Sequence, residues 1–154
     1  MTISKQELAD GIRFAGQRAA TAARYTKDWD HQLAHKWTTR DAFSHVASTS
    51  GGLPMLAPMV MGGQLGSVTV DQVAQINDQN ISGLAGKSDD EIIQAIIDGQ
   101  EASAKHVEGM DDAQLAQEIT LGQYQMPVAD LIAQIWINHQ LAHTYEASAR
   151  WPLA

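Results

Sequence analysis

Two histidines near the C-terminal end of the sequence have a spacing suited to metal binding. His139 and His143 lie in the run 128–149, which contains neither glycine nor proline and therefore predicts one long helix. Residues four apart share a helix face, so the two imidazoles can point at a common centre. A metal ion would bind both, whereas the alternative is that each makes ordinary hydrogen bonds.

The best candidate for a third ligand is His45, which lies beside the apolar residues Phe43 and Val46. The apolar neighbours of His139 and His143 indicate a largely buried helix, where unpaired imidazoles need partners. Three neutral imidazoles suit Zn²⁺, Ni²⁺ or Fe²⁺ and leave coordination positions open for water or substrate. An open site of this kind indicates catalysis.

A divalent cation at these histidines would give access to several reactions, because it lowers the pKa of a bound water or thiol and polarises carbonyl groups. Hydrolysis, thiol transfer and isomerisation through an enolate are all compatible with it. The sequence contains no cysteine, which excludes disulfides, thiolate ligands and a cysteine nucleophile. A reacting thiol would have to come from a low-molecular-weight co-substrate.

Three residues are candidates for acid–base chemistry. Asp41 lies four residues before His45, where it either orients that imidazole or is simply a favourable acidic residue in a first helical turn. Glu146 shares a helix face with the C-terminal histidine pair and is an available extra ligand or a base behind the ligands. Tyr124 precedes the same helix and is a potential donor to a bound substrate.

For the other three histidines, the sequence favours structural roles over metal binding. His31 and His35 are also four apart, but their segment is short and polar, which favours solvated side chains in a connection. His106 lies near the end of a predicted helix, where an imidazole suits the helix dipole.

Local patterns predict the elements that carry these residues. Capping boxes at Ser4, Thr38 and Ser88 mark helix starts, and Thr69 caps a short helix in the long connection between helices two and three. A short irregular, β-like excursion precedes helix four. The main predicted helices are helix one to about Tyr25, helix two from near Thr39, helix three to about Glu108 and helix four from Val128. The pattern predicts an all-α four-helix bundle.

Length, charge and hydropathy restrict the class of protein. The 154 residues fit one domain, taken as residues 1–154. The net charge is −8, and the 10 basic residues are scattered among 18 acidic ones, which argues against nucleic acid as a partner. The sequence has no signal-peptide pattern and no apolar run of the roughly 18 residues that a membrane span needs. We therefore expect a cytoplasmic protein with a small-molecule substrate.

The residues WTTRDAFSH at 37–45, followed by HQLAH at 139–143, resemble the DinB/YfiT-like superfamily, including the N-terminal domain of mycothiol-dependent maleylpyruvate isomerases. The resemblance implies a four-helix bundle of unusual connectivity, a homodimer, and a metal held by one histidine of helix two and a pair on helix four. His45, His139 and His143 match those ligand positions. Isomerase-like members can carry glutamate first in the pair, so His139 favours the three-histidine DinB type.

Three functional hypotheses follow. The first is a metal-dependent enzyme acting on a small organic substrate, either a thiol-dependent transferase or isomerase or, alternatively, a hydrolase. The second is a non-catalytic metal-binding or stress-associated bundle protein. The third is a bundle without metal, whose histidines make ordinary hydrogen bonds and whose surface binds a protein partner.

Overall fold

The computed structural model describes residues 3–33, 36–64 and 66–148, and this part of the chain is mainly helical. Its last three elements are continuous and are called here the C-terminal helical stretch, residues 128–148. In chain order the elements are α1 Lys5–Tyr25, α2 Thr39–Ser50, α3 Leu53–Met61, α4 Val70–Gly83, α5 Asp89–Gly109, α6 Asp112–Ala116, β1 Glu118–Leu121, β2 Tyr124–Pro127, α7 Val128–Ile132, a π-helical turn Ala133–His139 and α8 Gln140–Ser148.

Helix starts coincide with the predicted capping residues. In each box a serine or threonine side chain accepts from the backbone N–H three residues later, and that later side chain accepts from the cap. Both hydrogen bonds are local, so they depend on sequence spacing and little else. The boxes at α1, α2, α4 and α5 start with Ser4, Thr38, Thr69 and Ser88.

The four-helix bundle consists of α1, α2, α5 and the C-terminal helical stretch. Helices α1 and α2 each pack against α5 and against α8. The long connection between α2 and α5 holds α3 and α4, as expected from the sequence. The excursion before the last bundle helix is an antiparallel hairpin of β1 and β2, turned at Gly122 with φ of 58°. The preceding short helix α6 was not predicted, although Asp111 caps it.

The C-terminal helical stretch departs from regular α-helical geometry in its middle. An α-helix turns by about 100° per residue, so a side chain four residues further along points about 40° further around the helix axis. Over five positions spaced by four, the direction of the side chains would drift by about 160°. The i→i+5 pattern of the π turn rotates less per residue and offsets much of that drift. The expectation of one long helix is met by a continuous helical stretch over 128–148, but its middle is π-helical, and Ala149 lies outside the described residues. The buried residues at this spacing are Val128, Ile132, Trp136, Gln140 and Thr144.

Two apolar clusters make up the core, and a polar layer lies between them along α5. One cluster includes Ile96 and the other Ala104. Gln100, between them in sequence, is 1% exposed, and neither atom of its amide has a hydrogen-bond partner among the described residues. We call the buried residues Ser50, Gln100, Ser103 and Gln140 the polar layer.

Two glycines allow the close helix contacts around this layer. A Cβ on Gly99 would lie 2.7 Å from the backbone nitrogen of Gly51, so α5 can approach the end of α2 only because the side chain is absent. A Cβ on Gly16 of α1 would lie 2.7 Å from the Cβ of Gln100. Within the described ranges, no helix is both long and apolar enough to cross a lipid bilayer.

Candidate metal centre

Helix α2 places His45 in the centre of the bundle. The helix begins with the Thr38 capping box and is buried on most of its sides, and His45 is 1% exposed. A loop residue, Trp37, is fixed just before the helix, because Leu33 N–H and Gln32 Nε2 both donate to its carbonyl oxygen. The histidine therefore belongs to a rigid element rather than to a loop.

The C-terminal helical stretch places His139 and His143 opposite His45. His139 is the last residue of the π turn, and His143 lies one turn later in α8. Both side chains are half-buried, which leaves them closer to solvent than His45. The predicted histidine cluster is therefore formed by two different elements of the bundle.

The Nε2 atoms of the three imidazoles converge. The Nε2 of His139 lies 3.3 Å from that of His45 and 3.2 Å from that of His143. A neutral imidazole nitrogen carries either one hydrogen or one lone pair, so two full hydrogen bonds at the same Nε2 are not possible. Hydrogen bonding alone leaves this cluster incompletely satisfied.

The spacing fits a metal ion bound by all three nitrogens. At a metal–nitrogen distance of about 2.0–2.1 Å, two tetrahedral ligands lie about 3.3–3.4 Å apart. The 3.3 and 3.2 Å separations match that spacing, and one nitrogen from each of the three histidines lies within 4.8 Å of the others. The chain thus has a three-histidine site that can hold a divalent metal.

Electrostatics keeps two of these imidazoles in the form that binds metals. Burial, with repulsion from His143 and His139 as smaller causes, lowers the pKa of His45 to about 3. Burial, followed by repulsion from His143, lowers the pKa of His139 to about 4. Both are therefore neutral at neutral pH and retain the lone pair that a cation requires.

Glu146 supports one of the ligands from behind. Its Oε2 lies 3.1 Å from the Nδ1 of His143, and the two side chains are 27% and 20% exposed. Because a carboxylate only accepts, this contact favours the hydrogen on Nδ1, and a neutral imidazole with that tautomer has its Nε2 lone pair directed at the cluster. The Nδ1 atoms of His45 and His139 are buried and have no such partner among the described residues.

Trp37 forms an aromatic wall beside the cluster. Its ring centroid lies 4.9 Å from that of His45 and 5.4 Å from that of His143. We did not predict this role from the sequence. Trp37 precedes Thr38, the N-cap of α2, so the helical spacing that relates Asp41 to His45 does not extend to it.

Among the described residues, the other candidates from the sequence are not part of the three-histidine cluster. The Oδ2 of Asp41 accepts from the backbone N–H of Thr38 at 2.8 Å and from its hydroxyl at 2.9 Å, which is the capping role. Tyr124 is 60% exposed on β2, and its catalytic role and that of Asp41 stay predictions. His31 is exposed and 3.7 Å from Asp28, while His35 lies outside the described residues.

His106 lies away from the three-histidine cluster. It is half-buried near the end of α5 and lines a cleft of about 340 Å³ together with Lys105, Met61 and Met110, among others. None of the three clustered histidines lines this cleft, which agrees with the interpretation that His106 is not one of the ligands.

Comparisons with known proteins agree with this architecture. No protein-family model matches the chain, and no curated protein is significantly similar to it in sequence. Among solved structures, YfiT from Bacillus subtilis, described as a probable metal-dependent hydrolase with an unusual four-helix bundle topology, matches with a TM-score of 0.73 at 10% identity. The match covers 96% of this chain and 87% of that one. The fold expected from the DinB/YfiT-like resemblance is therefore confirmed, and at this identity the match concerns the fold alone.

Proposed function

We propose that this protein is a metal-dependent enzyme that acts on a small organic substrate, with His45, His139 and His143 as the ligands of one divalent cation. The observation that carries the proposal is the convergence of three imidazoles, in which two Nε2 separations are typical of a shared metal and one nitrogen of each ring lies within 4.8 Å of the others. Zn²⁺, Ni²⁺ and Fe²⁺ all suit such a donor set.

The number of ligands favours catalysis over a purely structural metal. Structural zinc sites use four protein ligands, whereas catalytic sites use three and keep a position open. A cation held here supplies Lewis acidity, lowering the pKa of a coordinated water or thiol and polarising a carbonyl. His139 and His143 are half-buried rather than sealed, so a small substrate can approach from their side.

Hydrolysis is the reaction class we favour, because the protein with the matching fold is described as a probable hydrolase. In this proposal Glu146 holds the proton on the Nδ1 of His143 and so fixes the orientation of that ligand. Trp37 limits the approach of solvent to His45 and His143 on one side. Asp41 and Tyr124 remain predicted acid–base residues.

The second candidate is a thiol-dependent transfer or isomerisation, supported by the resemblance to mycothiol-dependent isomerases. Because the chain has no cysteine, the thiol would come from a low-molecular-weight co-substrate. Three neutral ligands leave the positive charge of the cation available to stabilise a thiolate. The homodimer implied by the resemblance and the cytoplasmic location expected from the sequence also remain predictions.

Metal analysis of protein purified without a histidine tag tests the proposal. We expect about one Zn²⁺, Ni²⁺ or Fe²⁺ per chain, or restoration to one after addition of these ions. The variant H45A should lose the metal, while H106A, which removes a half-buried histidine outside the cluster, should keep it. A wild-type stoichiometry well below one that none of these ions restores would refute the metal site.

A turnover screen then separates the enzyme from a non-catalytic metal protein. The loaded protein would be tested on ester and amide substrates, and on electrophiles together with a small thiol. Hydrolysis that needs no thiol supports the first reaction class, and turnover that depends on the thiol supports the second. Loss of turnover in H139A, with full turnover in H106A, ties the activity to the cluster.

A further inference from the structure

Thr49 connects the two elements that carry the three histidines. The indole Nε1 of Trp136 donates to the carbonyl oxygen of Thr49 at 3.0 Å, and the Nε2 of Gln140 donates to its hydroxyl at 2.8 Å. The same hydroxyl lies 2.9 Å from the carbonyl oxygen of His45, to which it donates. Thr49 is thus hydrogen-bonded to the backbone of His45 and also to two residues that flank His139 in the sequence.

The helical spacing places these bonds directly beside the histidine cluster. Thr49 lies four residues after His45, one turn further along the same side of α2. Trp136 and Gln140 lie three residues before and one residue after His139, at the junction of the π turn and α8. Thr49 therefore contacts the segment where the last bundle helix changes its geometry.

The hydrogen bond from Gln140 to Thr49 positions the two elements at a cost in stability, because the Gln140 amide is only partly satisfied. Gln140 is completely buried, and its Oε1 has no hydrogen-bond partner among the described residues. A buried amide that satisfies only one of its atoms is unfavourable compared with an apolar side chain of the same shape. The bond to Thr49 is the polar contact that the Gln140 side chain makes here, so it fixes relative position at some cost in stability.

We propose that Thr49 is a positioning residue of the metal site: through Trp136 and Gln140 it sets the distance between His45 and the pair His139 and His143. The inference rests on the proposed metal binding at these histidines. Metal sites tolerate deviations of only about 0.2 Å in ligand distances, so a small shift of α2 against the C-terminal helical stretch lowers affinity.

The test compares T49V with S50A in the full chain. T49V keeps the shape and removes the hydroxyl that joins His45 to Gln140. S50A removes the neighbouring hydroxyl, which donates to the Val46 carbonyl in the same i to i−4 manner but makes no hydrogen bond to the C-terminal helical stretch. Zn²⁺ affinity would be measured by chelator competition, and the absorption spectrum of the Co²⁺-loaded protein would report ligand geometry.

We expect T49V to bind Zn²⁺ about tenfold more weakly than wild type and to change the Co²⁺ spectrum, with T49S restoring both. The Zn²⁺ affinity of S50A should stay within about twofold of wild type, even if its melting temperature falls as much as that of T49V. If T49V does not fold, Q140M gives the same comparison from the other side of the bond, with the same expected loss.

Equal Zn²⁺ affinities and equal Co²⁺ spectra for wild type and T49V would overturn the inference, as would equal losses in T49V and S50A. Either result leaves the proposed function standing, because the wild type still binds the metal. Failure of the wild type itself to bind Zn²⁺ or Co²⁺ would refute the proposed function, and with it the role of Thr49.

Discussion

The contact between Glu146 and His143 predicts a graded loss of metal affinity. A charge-assisted hydrogen bond contributes about 1.5–3 kcal/mol and a neutral one about 0.5–1.5 kcal/mol. The variant E146A removes the bond, so we expect a loss of about 2 kcal/mol, or roughly thirtyfold in affinity. E146Q keeps a neutral acceptor at the 3.1 Å contact and should lose about fivefold. Chelator competition with Zn²⁺ measures both.

The control is E108Q, which removes the charge of an exposed glutamate of α5 that pairs with Arg13 and is not part of the histidine cluster, and it should not change affinity. The size of the effect separates two roles. A loss in the order wild type, E146Q, E146A supports a residue that orients His143. Losses of more than about a thousandfold in both variants would show that Glu146 is itself a ligand, since that exceeds the effect of a residue behind the ligand. Unchanged affinity in E146A would refute the reasoning.

Three further outcomes are expected. Zn²⁺ at a hundredfold excess over its Kd should stabilise the protein by about 2.7 kcal/mol, which raises Tm by about 5–10 °C in a thermal melt, and H45A should show no such rise. Q100M keeps the unbranched shape of the side chain and removes an amide that has no partner among the described residues. The Tm without metal should therefore rise by about 2–6 °C. A fall in Tm would mean that the amide is satisfied. G99A should lower the free energy of unfolding in urea by about 1–3 kcal/mol, because its Cβ meets the backbone at the end of α2. The control G109A places its Cβ in open space and should not lower it. Equal effects of the two variants would contradict the close-contact argument.

Local sequence signals predicted most of the helix starts. The boxes at Ser4, Thr38 and Ser88 need only residues three apart, so no tertiary information was required. The same logic applied to Asp111 and Gln114, which cap α6, and that helix was missed although the signal was present.

The candidate site was predictable to different degrees. The pairing of His139 with His143 follows from helical spacing, whereas the addition of His45 depends on how α2 packs against the C-terminal helical stretch. The direction of Tyr124 is set by the register of a hairpin and could not be derived locally. Trp37 was overlooked because it precedes the first turn of α2, where helical spacing is not normally applied.

The π turn could not be predicted from glycine and proline content, because that content does not distinguish a regular α-helix from one with a π turn. Its only sequence trace is the spacing of four among the buried positions, and two of those positions, Gln140 and Thr144, are polar. A search for apolar periodicity therefore does not detect the pattern. Burial, known only from the folded chain, is what reveals it.

The π turn also makes the site tolerant of a change in chain length. A π turn holds one residue more than an α-helix would need over the same span, which is equivalent to a one-residue insertion. The same residues wound as a regular α-helix would turn α8 by about 100° relative to α7, and His139 and His143 would turn away from His45. Deleting one residue between Ala133 and Asn138 would instead let the segment become regular while α8 keeps nearly its present orientation. In the evolution of such a chain, a single codon could therefore be gained or lost in this segment without abolishing the histidine cluster.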